Sequence, residues 1–336
     1  MSNGNGSVIE ISDLTKRYGD LVAVDAISFS VQRGEVFGIL GPNGAGKTTT
    51  LEMVEGLRKP DGGSITVDGS PVWPDPRKVK RRIGVQLQAT ALFDYQKLHE
   101  IIYIFGACYG LHRSKAECLE LLERVGLAEK ANVFVDELSG GQAQRLSIAL
   151  ALVNDPVVTF LDEPTTGLDP RARRSLWEVI KDINRSGTTV VLTSHYMEEA
   201  ERLCDRVAVM DLGHIVAVDT PRALINSLGA EATVTFTLDQ PLPVDELCEL
   251  AGAQTCLPGD PGYEIIAADA QQAVVSLLDM AKQRGLRIEN LDVKGANLED
   301  VFLSMTGHKL GEDEAQTEAT DGKGERRRRG LFARGR

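Results

Sequence analysis

Gly41, Gly44, Gly46, Lys47 and Thr48 stand at the spacing G-x-x-x-x-G-K-[ST], a combination suited to holding phosphate. Glycines let the backbone curl until successive N–H groups converge on one concavity, and a helix starting behind them adds partial positive charge. Lys47 can reach the β- and γ-phosphates of a nucleotide, and the Thr48 hydroxyl can ligate Mg²⁺. The run Gly41, Pro42, Asn43, Gly44, Ala45, Gly46, Lys47, Thr48, Thr49 is therefore expected to wrap a nucleoside triphosphate. The plain alternative is a glycine turn beside a chance lysine. Against it stand the apolar Val36, Phe37, Ile39 and Leu40 before the loop, which form a buried strand, and the helical pattern after it.

Further chemistry-bearing residues follow at the ends of apolar runs. Val157 to Leu161 reads as a strand that closes on Asp162 and Glu163. An aspartate there can hold Mg²⁺ directly or through water, and the glutamate beside it can orient or deprotonate a water. Thr188 to Leu192 is another buried strand, ending in Thr193, Ser194 and His195, and Arg82 to Gln88 is a strand ending in glutamine. Ser139-Gly140-Gly141-Gln142 opens an apolar helix from Ala143 to Val153. Bare N–H groups and the helix dipole make it a second anion site, though alone it equally fits a simple N-cap. Tyr18 could stack on a purine or be an ordinary packed tyrosine. His99, His112, His214 and His308 read as unremarkable.

The elements that must position these residues follow from one rule: in an open parallel α/β sheet, ligands bind beyond the carboxyl ends of the strands. If the strands ending at Gly41, Gln88, Asp162 and His195 are parallel neighbours, all four sets face one crevice. Around them, Val8 to Leu14 and Val22 to Val31 read as strands, with Ser64 to Val67 a shorter one. Thr48 to Gly56 fits a glycine-closed helix. Leu98 to Gly126 is helical in pattern, and Arg171 to Asn184 follows the turn at Thr165 to Pro170.

The 336 residues, 42% of them hydrophobic, suffice for one large or two ordinary domains. A net charge of -12 argues against broad nucleic-acid binding. Cys108, Cys118, Cys204, Cys248 and Cys256 form no C-x-x-C pair and read as reduced thiols of a cytosolic protein. No basic segment followed by an apolar core opens the chain, and no apolar run approaches the roughly 18 residues needed to cross a bilayer. A soluble intracellular protein is expected.

Residues from about 7 to 225 resemble the nucleotide-binding subunit of ATP-binding-cassette (ABC) transporters. Leu138-Ser139-Gly140-Gly141-Gln142, upstream of the Asp162-Glu163 strand, matches that family's signature. Tyr18, Gln88, the Gly167-Leu168-Asp169 turn and His195 fall in the family's order. Leu87 stands where many members carry proline. The resemblance implies an α/β P-loop NTPase core with a helical subdomain (about 89–137) and an antiparallel β subdomain. It implies an active ATP hydrolase coupled to transport, with ATP and Mg²⁺ bound between two copies paired head to tail. Tyr18 would stack on adenine. Lys47 and Thr48 would hold phosphate and metal, with Asp162 and Gln88 as further metal ligands. Glu163 would be the general base, and His195 would contact the γ-phosphate. Ser139 to Gln142 would come from the partner, with Asp169 linking the two sites.

Beyond Thr220-Pro221 the pattern is β-α-β-β-α-β, suggesting a small ferredoxin-like α+β layer. Thr233 to Leu238, the weak Gln254 to Leu257, Tyr263 to Ala268 and Leu286 to Val293 supply the strands. Val244 to Gly252, a helix capped by Asp269 and stopped at Gly285, and another opened by Asn297 supply the helices. Gly285 to Gly307 resembles the extension of daunorubicin-resistance-type exporter ATPases, which work with a separate ABC-2-type permease. The expected layout is a flexible 1–6, a nucleotide-binding domain over 7–228, an accessory domain over 229–308 and a disordered 309–336 with a basic end. The resemblance places such a chain at the cytoplasmic face of the cell membrane, peripherally through its permease, with no nucleic-acid partner. A soluble ABC ATPase acting on nucleic acid or the ribosome, a nucleotide-gated binding module and an importer ATPase with a regulatory domain are the alternatives.

Overall fold

A computed structural model describes residues 6–86, 95–229, 232–259 and 261–307. The expectations for the N-terminus, Leu87, Gln88, His308 and the tail from 309 lie outside these residues. The chain opens with β1 (Ser7–Tyr18), β2 (Leu21–Gln32) and β3 (Val36–Leu40), then α1 (Lys47–Val54). β4 (Gly62–Val67), β5 (Ser70–Pro71), α2 (Arg77–Lys80) and β6 (Ile83–Val85) follow. Next come α3 (Leu98–Cys108), α4 (Lys115–Arg124) and α5 (Gly140–Ala151). The unit closes with β7 (Val158–Asp162), α6 (Pro170–Arg185), β8 (Thr189–Ser194), α7 (Met197–Leu203) and the hairpin β9 (Arg206–Asp211) and β10 (His214–Asp219).

Two sheets divide these strands. An antiparallel sheet has the order β2-β1-β4-β5, and a second sheet has the order β10-β9-β3-β8-β7-β6. Within the latter, β3 runs parallel to β8 and β9, and β7 parallel to β6 and β8. Every residue of β3 and β8 is buried, the mark of strands covered on both faces. The shared core draws Ile9, Ile11, Phe29 and Val31 from one sheet and Phe37, Ile39 and Phe160 from the other. Phe29 stacks on Phe37 with centroids 5.3 Å apart. α6 shows why a polar segment folds onto this core: Leu176, Val179, Ile180 and Ile183 form one buried stripe at helical spacing.

Three local expectations are corrected. Leu98 to Gly126 is not one helix: Gly110 takes a positive φ of 77°, and Ser114 caps a new helix by accepting from the Glu117 N–H. The signature helix begins at Gly140 rather than Ala143, because glycines at its first turn still take helical torsions. β9 and β10 were not anticipated, although β9 is the partner of β3 opposite β8.

A second compact unit starts at Pro221, so the helix expected to end the first domain at residue 228 groups instead with the C-terminal elements. This unit holds α8 (Pro221–Ser227), β11 (Ala232–Leu238), α9 (Val244–Cys248), β12 (Ala253–Gly259), β13 (Gly262–Ala267), α10 (Ala270–Arg284), β14 (Ile288–Gly295) and α11 (Leu298–Thr306). The sheet order β12-β13-β11-β14, antiparallel throughout, is the ferredoxin-like arrangement. Val234, Phe236, Ile265 and Leu277 fill its own core. Asp269 and Asn297 cap α10 and α11 as expected, and Gly285 and Gly307 close them in the left-handed region. Gln254 to Leu257, the weakest strand in the sequence, belongs to the longer β12.

Candidate functional site

The loop Gly41–Gly46 joins β3 to α1, and two of its three glycines are sterically required. A Cβ on Gly41, whose φ is 153°, would collide with the Met210 carbonyl of β9. One on Gly46 would collide with the Ala23 carbonyl. Gly44, in contrast, faces open space at a φ of 83°, a cradle that a side chain would fill. Pro42, Asn43 and Thr49 complete the loop and the first helical turn, while Ala45 is buried in the core. α1 starts at Lys47 with no acidic side chain in its first turn, so its positive end is not neutralised locally.

Lys47 is only 5% exposed. Its ammonium donates to the Gly41 carbonyl at 2.9 Å and the Pro42 carbonyl at 3.0 Å, and lies 3.7 Å from Glu163 Oε1. Burial lowers its pKa, with Glu163 and Asp162 opposing. Thr48 Oγ1 donates to the Asp162 carboxylate, 3.4 Å from Oδ1 and 3.3 Å from Oδ2. Asp162 also accepts a short bond from the Thr193 hydroxyl. Burial raises its pKa, and the bonds from Thr193 and Thr48 pull it back.

Glu163 takes a positive φ of 45° at the end of β7, and its N–H donates to Thr193 Oγ1 at 2.9 Å. Its side chain accepts from the Thr166 hydroxyl at 3.1 Å. His195 Nδ1 stands 3.2 Å from Glu163 Oε1, within ion-pair reach but not aligned as a hydrogen bond. The imidazole of His195, and after it the Lys47 ammonium, hold the Glu163 carboxyl down at about 2, against the effect of burial.

β3, β8 and β7 are adjacent and parallel, and Lys47, Thr48, Asp162, Glu163 and His195 meet beyond their carboxyl ends, where ligands bind in such sheets. β6 extends the same parallel set, with the Gln86 N–H donating to the Phe160 carbonyl at 3.0 Å; Gln88, two residues on, is outside the described residues. The remaining candidates lie elsewhere. Tyr18 ends β1 at 41% exposure, so core packing does not account for it. Lys16 and Arg58 stand 5.6 and 5.4 Å from its ring centroid, so a purine stacking on it would share the ring with two cations. Ser139 caps α5 through its backbone: its N–H donates to Gln142 Oε1 at 3.1 Å, while its hydroxyl makes no cap bond. Ser139, Gly141 and Gln142 line a recess of about 470 Å³ with Gly126, Lys130 and Arg145. Asp169 caps α6, accepting from the Arg171 and Ala172 N–H groups at 2.9 Å.

Two contributors escaped the sequence reading. Thr193 bonds both Asp162 and the Glu163 backbone, and its place near the end of a buried parallel strand was the available signal. Gln144 on α5 donates to the Pro164 carbonyl at 2.7 Å, tying the signature helix to the turn after Glu163. Nothing in its spacing announced that.

Known proteins resemble the chain in family and fold. The ABC transporter family profile matches residues 24–166. A linearmycin resistance ATP-binding protein of Bacillus subtilis is 37% identical over 312 residues, spanning 90% of this chain and 99% of its own length. A Nod factor export ATP-binding protein of Burkholderia lata is 42% identical over 305 residues, spanning 90% and 98%. Among solved structures, cbiO1 of Clostridium perfringens, part of an ABC transporter complex, superposes with a TM-score of 0.61 at 27% identity, over 66% of this chain and 92% of its own. A cassette solved as a dimer in a post-hydrolysis state with ADP and phosphate gives a TM-score of 0.57 at 27% identity, over 63% and 98%. With nine-tenths of its length matched at this identity, and a phosphate loop, signature helix and carboxylate-bearing strand in one cassette, the chain belongs to the ATP-binding proteins of ABC transporters.

Proposed function

We propose that this chain is the ATPase subunit of an ABC-type exporter, hydrolysing ATP in a site completed by a second copy and driving a separate membrane permease. One observation carries the chemistry: a lysine, two carboxylates, two threonine hydroxyls and a histidine converge at the ends of three adjacent parallel strands. Relatives similar over nine-tenths of this chain bear names of export and resistance, which supports the exporter assignment. A cassette of the same fold solved as a dimer supports pairing. A permease of ABC-2 type is the partner we infer from the second unit. The chain would then sit at the membrane through that partner, since no helix among the described residues is long and apolar enough to cross one.

The donor set fits Mg²⁺. Thr48 and Asp162 offer hard oxygens within 3.4 Å of each other, and the half-buried Asp162 carboxylate gains from a cation beside it. Mg²⁺ held there, with Gln88 as a further ligand, would offset phosphate charge. The chain's own groups do the rest. Loop N–H groups and Lys47 grip the triphosphate, and Tyr18 meets the base. As Lys47 and His195 turn to phosphate oxygens, they leave the Glu163 carboxylate. Its basicity then rises, because the imidazole and the ammonium that held it near 2 no longer face it. Glu163 thus becomes a competent base for water when substrate is in place. Ser139, Gly140, Gly141 and Gln142 of a second copy close over the γ-phosphate, and Asp169 spans the two sites.

The purified chain should release phosphate from ATP. The Glu163→Gln variant should bind ATP yet turn over at least roughly a hundredfold slower, the low end of general-base contributions. Undiminished turnover in that variant removes Glu163 from the role. Failure of the tagged chain to recover any integral membrane protein from its own cells counts against the transporter assignment.

A further inference from the structure

Glu199 on α7 is fully buried, at 0% exposed, where carboxylates rarely stand unless paired. Its Oε2 accepts from the Ser194 hydroxyl at 2.6 Å and its Oε1 from the Trp177 indole N–H at 3.1 Å. The Ser194 oxygen in turn accepts from the Tyr196 N–H at 2.9 Å. Both neighbours of His195 in the chain are therefore bonded into one group, and that group is anchored on α6 through Trp177. A second link runs in parallel: the Arg173 guanidinium, also on α6, lies 4.2 Å from the Tyr196 ring centroid, and that ring packs 4.0 Å from the His195 ring. α6 is the helix that Asp169 caps.

Strand alternation sorts the partners. Along β8 successive side chains point to opposite faces, so Thr193 reaches Asp162 while Ser194 reaches Glu199 on the other side. Burial pushes the Glu199 carboxyl up, and the bonds from Ser194, Thr165 and Trp177 pull it back; its two oxygens accept separately from the Ser194 hydroxyl and the Trp177 indole. A glutamine there would have to aim its oxygen at the fixed indole N–H and its amide at Ser194.

We propose that Glu199 is a positioning residue that joins the His195 loop to α6, so that His195 and the Gly167–Asp169 turn hold one relative placement. This rests on the ATPase function above. Since Asp169 faces the second site in that arrangement, Glu199 couples the histidine at one site to the turn that reaches the other.

The test uses the full chain with two mild variants, Ser194→Ala, which cuts only the loop link, and Glu199→Gln, which keeps the shape. Hydrogen exchange needs no hydrolysis: both variants should raise amide exchange about tenfold over 193–197, and Glu199→Gln also over 167–172, as expected for losing one buried hydrogen bond. In phosphate release both should lower kcat about tenfold with KM for ATP changed less than about threefold. In a His195→Ala background the same changes should have no further effect on kcat. Exchange identical to the parent's in both segments overturns the proposal, as does an equal loss of kcat in the His195→Ala background. A parent chain that hydrolyses nothing refutes the ATPase function instead, and the exchange data alone then decide whether Glu199 holds the loop.

Discussion

Two demands oppose each other at Glu163. A base must be ionised before it can act, yet a carboxyl held at about 2 by His195 and Lys47 is a weak base. In the proposed site the conflict resolves because the imidazole and the ammonium are also the groups that would meet a triphosphate, so basicity arrives with substrate. Thr193 keeps both carboxylates in place while this exchange happens, since its hydroxyl bonds the Asp162 side chain and the Glu163 N–H together. Thr193→Val keeps the shape and removes both bonds. At the net worth of bonds to charged groups, turnover should fall roughly ten- to a hundredfold, with about 1–3 kcal/mol of stability lost because the Glu163 N–H is left without its acceptor. Steady-state phosphate release together with a melting curve checks it, and unchanged turnover would make Thr193 a bystander. Lys47 and Thr48 are legible from the spacing of the glycine loop, and Asp162, Glu163 and His195 because they follow apolar runs. Thr193 is not, because the sequence does not say which neighbour a hydroxyl in a buried strand will meet.

Among the elements, α1 carries an internal tension of its own. It begins at Lys47 and is capped at its other end by Glu55, which is 4% exposed. Burial first, then the charges of Asp162 and Glu52, push the Glu55 carboxyl up to about 8, with Lys80 opposing. Between about 4.5 and 8 the folded state therefore holds a proton that the unfolded chain gives up. Stability from this group is full below about 4.5 and is lost as pH rises through about 8. Glu55→Gln should remove that loss: nearly neutral at pH 5, it should stabilise by on the order of a few kcal/mol at pH 8. Urea unfolding at the two pH values checks it, and an equal difference at both would show that Glu55 does not titrate. Strong periodicity made β3, β7, β8 and α6 legible as elements. The break after α3 is signalled only by Gly110 and the polar His112 to Lys115, which the apolar positions on either side outweigh. The β9–β10 hairpin carries the same signal, since Val207 to Met210 is as apolar and buried as β3, β7 and β8. For the second unit the order of elements was read correctly, and antiparallel pairing to β13 gives the weak β12 its strand character.

For the molecule as a whole, the proposed site is divided. The phosphate loop, Asp162, Glu163 and His195 form one half. Ser139, Gly141 and Gln142 line a separate recess, with a serine hydroxyl not spent on capping its own helix. That division explains what the sequence could and could not convey. Motif order identifies both halves, but in the proposed pair the geometry that joins them belongs to two chains. A head-to-tail pair places each phosphate loop against the other copy's signature helix, and this makes a sharp prediction. Lys47→Ala spoils the loop half and Ser139→Arg spoils the signature half, so either variant alone leaves every site broken. When the two are mixed and exchange subunits, each mixed dimer contains one site built from an intact loop and an intact signature. Random pairing makes half the dimers mixed, and each mixed dimer restores one of two sites, so phosphate release should return to about a quarter of the parent rate. A mixture that stays at the level of the separate variants, after subunit exchange is verified by a size or fluorescence label, would place both halves of the site in the same chain.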